Sequence, residues 1–468
     1  MKKKIIRRGL FCLLIVISYL ILGTWMPFLY HKQPGDETQK NFHVEDLKSD
    51  TRGTEKAAYI TDNQNAMEYR FHMCEDAKKE ILFSTFDFNA DEAGKDMMAM
   101  LLHAANRGVK VRMIVDGISG LLDVKGSPYF QALAANENIT LKIYNPVNLL
   151  LPWKAECRMH DKYLITDDQM YVLGGRNTMN LFLGEYSGGK NEDTEVFVKE
   201  EGEKEGTSIE ELQQYFEKIW EYKGSKTQKK KENKKETDAK KELIQRYEKV
   251  KELYGTTEAD KFYQNGLMET NKITLLSNPI EAENKTPDLW YCLSEIMKTG
   301  QNISVYTPYV ILSNDMKKDI KEICQHAENV EFFINDPKKG ANPWGCTDYL
   351  NQKQKLLDLG LEIREYRRDH SLHTKNIVVD DRISIVGSMN LDMRSAYLDT
   401  ELMLVLDSKD FNAKIRDKIS DDKNYCKSIK KGEDYQYGSH YTEKDFDTKK
   451  KVMYQILRVL IRPIRCLL

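Results

Sequence analysis

The chain has no paired cysteines. Its eight stand singly, at Cys12, Cys74, Cys157, Cys292, Cys324, Cys346, Cys426 and Cys466, and no CxxC spacing occurs. A zinc ribbon or finger is therefore excluded, and no disulfide framework follows. A net charge of −2 argues against a protein built to coat nucleic acid. No basic stripe with interleaved aromatics occurs outside one lysine run. That run, residues 223–241, contains no Val, Leu, Ile or Met. It cannot bury a core and is expected to be a solvated, disordered linker, with a patch for anionic lipid as the alternative. The N-terminus lacks a small-residue cleavage site around Gly23-Thr24-Trp25-Met26-Pro27, which favours a retained helix over a signal peptide.

At 468 residues the chain is too long for one ordinary core, so two domains or a duplicated fold are expected. Lys2, Lys3, Lys4, Arg7 and Arg8 precede an apolar run from 9 to about 30, long enough to cross a bilayer at about 1.5 Å per residue. Residues 1–32 are read as a basic tip and membrane anchor. Positive-inside bias places the N-terminus in the cytoplasm and the rest of the chain outside it. The chain ends "KKKVMYQILRVLIRPIRCLL" (449–468), where basic residues mix with Val452, Ile456, Leu457, Val459, Leu460, Ile461 and Ile464. This tail fits either a helix in the headgroup region of an anionic membrane or one packed on the body.

"RMHDKYLITDD" (158–168) returns as "SLHTKNIVVDD" (371–381). His160, Lys162 and Asp167 thus match His373, Lys375 and Asp380, each set as H-x-K-x-x-x-x-D. Gly174 and Asn177 match Gly387 and Asn390 at the same offsets. The approach repeats as well. Alternating strand patterns at "KEILFSTFDF" (79–88) and "QNISVYTPYV" (301–310) lead into helical patterns around 92–107 and 315–327. Second strands follow, ending at Asp116 and Asp336. Strand, helix and strand in succession form βαβ units and imply mainly parallel sheets. The fold class is α/β: two pseudo-symmetric lobes over 57–222 and 243–407, a linker at 223–242 and a C-terminal extension at 408–468. Ser208 and Glu211 fit a capping box for a helix whose stripe Ile209, Leu212, Phe216, Ile219 and Trp220 is a core face.

On a strand His160 and Lys162 would share one face, as would His373 and Lys375. If the lobes pack about a pseudo-twofold axis, two imidazoles and two ammonium groups converge, and the cluster asks for an anion. A phosphate diester fits. Lys162 and Lys375 would hold its non-bridging oxygens, with Asn177, Asn390 and Ser388 adding hydrogen bonds. One imidazole attacks phosphorus and the other protonates the leaving alkoxide. Each needs an orienting carboxylate, for which Glu195 and Glu401 are placed. A longer spacing in the first half points to an insertion around 184–192 and leaves Asp193 as the alternative to Glu195. Asp167 and Asp380 are read as structural. The lysines supply positive charge, so neither metal nor cofactor is required.

These paired motifs resemble those of the phospholipase D superfamily from about 57 to 407. "GSMNLDMRSAYLDTELML" (387–404) looks like the matching segment of bacterial cardiolipin synthases, and the Gly-Gly-Arg-Asn element at 174–177 is similar to one branch of them. Asp399 stands where these usually carry asparagine. The resemblance implies that His160 is the nucleophile and that His373 is the general acid, then the base. It implies a phosphatidyltransferase that makes cardiolipin and glycerol from two phosphatidylglycerols through a phosphohistidine, with phosphatidylethanolamine as an open donor. The expected partners are phospholipid and membrane, not nucleic acid. A phospholipase D hydrolase, a nuclease with the same histidines and a non-catalytic lipid-binding module are the alternatives.

Overall fold

A computed structural model describes residues 2–186, 188–202, 205–228 and 234–468. Two nine-stranded sheets form its centre. In the first, Glu80–Thr85, Lys110–Asp116 and Ile139–Tyr144 run parallel. Tyr163–Thr166, Met170–Gly174, Glu195–Glu200 and Glu55–Ile60 then extend that sheet antiparallel from the Glu80–Thr85 edge. The second repeats this order. Asn302–Tyr306, Asn329–Asn335 and Glu362–Tyr366 are parallel, and Asn376–Val379, Ile383–Gly387, Leu402–Asp407 and Lys272–Ser277 are antiparallel to their neighbours. The two-lobed α/β architecture is thus present, but the sheets are mixed rather than mainly parallel. Only the βαβ part demands parallel strands; the motif strands return through tight hairpins, which make antiparallel pairs.

The expected helices lie at Glu92–Asn106 and Asn314–His326, and alternate apolar residues on the strands face the helix layers. The helix Ser208–Glu221 buries its expected stripe but makes no capping box. The Ser208 hydroxyl instead meets the buried Glu55, and Glu211 accepts the Leu275 N–H at 2.8 Å.

Three boundaries move. Within the expected linker, Ser225–Thr227 pairs with Ile139–Tyr144, and a helix spans Lys234–Tyr254; 229–233 lie outside the described residues. Leu243, Tyr247, Val250 and Tyr254 of that helix are buried in the same core as Met97, Leu101 and Leu133 of the first lobe. Lysines occupy its outer face, so a lysine-rich sequence folds by burying one narrow stripe. The second lobe accordingly begins with the strand Lys272–Ser277, not near 243. At the other end, Lys409–Lys423 and Cys426–Ile429 belong to the second lobe, the latter paired with Glu362–Tyr366.

The N-terminal helix Lys2–Trp25 is long and apolar enough to cross a membrane, and its apolar window is unburied. The C-terminal helix Thr448–Ile464 packs on Pro343–Leu357 through Tyr454 and Ile461, with Arg465 paired to Asp348 at 2.9 Å, while Val452, Ile456, Val459 and Leu460 remain exposed.

Candidate functional site

Each H-x-K segment lies just ahead of a strand rather than within it. His160 and Lys162 precede Tyr163–Thr166, and His373 and Lys375 precede Asn376–Val379. Short parallel pairings hold these segments against the opposite lobe. Met159 bridges Thr400, and Ser371–Leu372 pairs with Asn191–Glu192. The His160 N–H donates to the Thr400 carbonyl at 3.2 Å and the His373 N–H to the Glu192 carbonyl at 2.7 Å. These equivalent contacts define the pseudo-twofold relation of the lobes.

The orienting carboxylates cross over. His160 Nδ1 lies 2.9 Å from Glu401 Oε1, and His373 Nδ1 lies 2.5 Å from Asp193 Oδ2. Each imidazole is therefore fixed by the other lobe. The Phe86 ring meets His160 edge-on at 5.1 Å and the Phe182 ring meets His373 at 4.8 Å.

Glu195 does not take the orienting role. It is fully buried and forms a forked pair with Arg70 at 2.8 and 2.6 Å, with Arg176 3.5 Å away. Sheet register explains the substitution. Gly174 stands opposite Glu195 and Gly387 opposite Met403, so Asp193 is the counterpart of Glu401, two residues earlier on each strand approach. Register also explains Gly175, the counterpart of Ser388. A Cβ there would lie 2.6 Å from both Asp193 carboxylate oxygens.

Ser388 is fully buried and donates to Glu401 Oε2 at 2.5 Å, so its hydroxyl positions the carboxylate instead of facing an anion. Ser395, not anticipated from sequence, donates to Glu401 Oε1 at 2.6 Å. Asn177 and Asn390 are buried, and each side-chain carbonyl oxygen lacks a partner among the described residues. Asn390 Nδ2 donates to the Tyr309 hydroxyl at 3.3 Å. Asp399 accepts the Arg158 N–H at 3.0 Å and lies 3.4 Å from Arg394.

Asp167 and Asp380 lie at the far ends of the motif strands, with φ of 52° and 53°. Asp167 accepts backbone N–H groups of Lys79 and Glu80, each at 2.8 Å, and Asp380 those of Gln301 and Asn302 at 3.0 and 2.8 Å. Both therefore fasten a turn to the start of the neighbouring antiparallel strand, Glu80–Thr85 or Asn302–Tyr306.

Burial dominates the electrostatics. It lowers the His160 pKa well below 6.5, with Lys162 and Lys375 adding to the effect, and that of His373 to about 4, with Lys375 adding. Burial brings Lys162 down to about 8 and Lys375 to about 7, although carboxylates oppose it. Glu401 is pushed up to about 7 by burial. Burial also acts to raise Asp193, but the Lys375 ammonium and His373 outweigh it and hold the carboxyl below the ordinary range. Lys375 thus acts on His160, and Lys162 on His373, across the lobe boundary. Crowded bases that all lose proton affinity form a site for an anion.

This duplicated lobe, with one H-x-K-x-x-x-x-D segment in each half, is the architecture of the phospholipase D superfamily. Residues 71–220 and 292–423, more than half of the sequence, match the family model described as "Cardiolipin synthase, PLD-like domain", and the chain belongs to that family of phospholipid-synthase-like enzymes. It is 25% identical to an uncharacterized protein of Helicobacter pylori, over 81% of this chain and 82% of that one. It is 25% identical to the cardiolipin synthase of Oceanobacillus iheyensis, over 73% of this chain and 63% of that one, and 23% identical to that of Clostridium perfringens, over 75% and 67%. The phosphatidylserine synthase structure from Haemophilus influenzae Rd KW20 has the same fold, with a TM-score of 0.62 at 14% identity, covering 92% of this chain and all of that one.

Proposed function

We propose that the protein transfers a phosphatidyl group between phospholipids, in the manner of a cardiolipin synthase, through a phosphohistidine on His160. The observation that carries this reading is the crossed pair of imidazole–carboxylate contacts, both made through Nδ1, with the Lys162 ammonium on the His160 carbonyl and the Lys375 ammonium on the His373 carbonyl and 2.7 Å from His373 Nδ1.

The two orienting carboxylates differ in a way that favours distinct roles. Asp193 is held in its anionic form by Lys375 and His373, so it supports an imidazolium at His373 once the phosphate charge enters. Glu401, raised to about 7, gives less support to a charged His160, which suits a neutral nucleophile. In the first step His160 Nε2 attacks phosphorus of phosphatidylglycerol, the P–O bond to the headgroup breaks, and His373 gives its proton to the departing glycerol. In the second, the terminal hydroxyl of another phosphatidylglycerol loses its proton to His373 and attacks the phosphohistidine. Cardiolipin forms and His160 is released. Lys162 and Lys375 stabilise the non-bridging oxygens, and the Asn177 and Asn390 amides add hydrogen bonds to them. Phosphatidylethanolamine is an alternative donor, because the step requires only an alcohol leaving group.

In this reading the helix Lys2–Trp25 anchors the chain, with the basic tip in the cytoplasm and the catalytic body on the opposite side. The test is the product spectrum of the full chain with labelled phosphatidylglycerol, with and without phosphatidylethanolamine. The expected result is cardiolipin plus free glycerol and a label trapped on protein, both lost in His160→Ala. Phosphatidic acid as the sole product would make the enzyme a hydrolase; no lipid turnover would overturn the reading.

A further inference from the structure

The segment between the strand Ile139–Tyr144 and His160 carries three consecutive leucines followed by Pro152 and Trp153. Leu149 and Leu150 stand 67% and 77% exposed at the tip of a compact turn. Such exposure of adjacent large apolar side chains calls for a partner. The turn is well formed. Leu150 N–H donates to Asn148 Oδ1 at 3.0 Å, Leu151 N–H to the Asn148 carbonyl at 3.0 Å, and the Leu151 carbonyl accepts from Lys154 N–H at 2.9 Å.

Its neighbour identifies the occupant. The Leu150 carbonyl accepts a hydrogen bond from the Tyr19 hydroxyl of the N-terminal helix at 2.9 Å. Pro152 packs so closely on Gly23 that a Cβ there would lie 2.5 Å from the proline ring. Tyr19 lies six residues before the helix end at Trp25, which is about 9 Å back along the axis. A loop that touches both Gly23 and Tyr19 therefore runs down the side of that helix, not away from its end. If the helix spans the bilayer, the loop tip lies below the surface from which the body emerges. Its chemistry fits that depth: the tip side chains are apolar, and both backbone polar groups of Leu150 and of Leu151 are satisfied within the protein, as hydrocarbon requires.

We propose that the Leu149–Leu150 turn is a second membrane-inserting element, seated in the acyl region of the leaflet beside the N-terminal helix. The proposal rests on the reading of that helix as a bilayer span. The turn also has a rigid link to the site. The Lys154 carbonyl accepts from Arg158 Nη2 at 2.9 Å and from Asn145 Nδ2 at 2.8 Å, and Arg158 lies two residues before His160. The root of the inserted loop and the segment that presents His160 are thus one fixed unit, which holds the first-lobe half of the site at a set height over the lipid.

The experiment is spin-label accessibility on the full chain reconstituted in phosphatidylglycerol-containing vesicles. Single labels are placed through Leu150→Cys and, in the middle of the helix, Leu14→Cys, on a Cys12→Ser background; the other native cysteines are buried or half-buried. The expected result is collision with oxygen favoured over a water-soluble nickel chelate at both positions. A lipid-exposed label at 14 with a water-exposed label at 150 would overturn the insertion and leave the anchor standing. Water exposure at both would remove the anchor, and the proposal with it.

Discussion

Asp193 and Glu195 are two residues apart and both fully buried, but their partners give them separate consequences. Asp193→Asn keeps the shape and removes the charge that faces His373, so kcat for phospholipid turnover is expected to fall about 10²-fold or more while KM changes little. Glu195→Gln instead leaves the Arg70 and Arg176 guanidiniums without their carboxylate. It is expected to cost about 3–5 kcal/mol of stability, read as a lower midpoint in denaturant. Both candidates were legible as carboxylates downstream of the first motif. Which of them faces the histidine was not, because that depends on strand register, and a shift of two residues preserves the face while changing the partner. Ser388 was misread for a similar reason: sequence supplies a hydroxyl near the motif but not the direction in which it donates.

At the scale of elements, the turns that end the motif strands explain the last letter of H-x-K-x-x-x-x-D. Asp380 combines a left-handed backbone with two accepted N–H groups. Asp380→Ala is therefore expected to destabilise by about 1–2 kcal/mol, and Asp380→Asn by less, since asparagine tolerates that conformation and keeps one acceptor. Urea unfolding of the two variants side by side checks the order, and equal losses would contradict it. The repeated strand–helix–strand units were readable because their apolar periodicity is long and strong. The helix Lys234–Tyr254 was hidden in its first turns by lysines, which say only that one face is wet; its packing stripe becomes visible from Leu243 onward. Mixed sheet direction was hidden too, since hairpin pairing depends on the tight turns at Asp167 and Asp380 rather than on hydrophobic alternation.

For the whole molecule, the crowded bases set a pH dependence. His373 titrates near 4 when folded against 6.5 as its ordinary value. Between these values the unfolded chain binds more protons, so this residue makes stability rise with pH and fall as acid is added from about 6.5 towards 4. Glu401, raised to about 7, acts in the opposite sense between its ordinary range and 7, so the total curve is a sum of opposed contributions. The difference between wild type and His373→Gln reads the His373 contribution together with its effect on Asp193. Thermal unfolding across that window is expected to show a flatter acid limb for the variant, and parallel curves would contradict the assignment.

The crossed contacts set where a difference between the two halves is felt. Because each imidazole takes its orienting carboxylate from the opposite lobe, a change at that carboxylate acts first on the other lobe's histidine. The first half carries Gly175–Asp193 where the second carries Ser388–Glu401, so this difference falls on the carboxylate that orients His373, while Glu401 orients His160. Two halves with identical carboxylates would give proton flow no preferred direction. In the mechanism proposed above, the difference at these two positions is what separates a donor side from a nucleophile side.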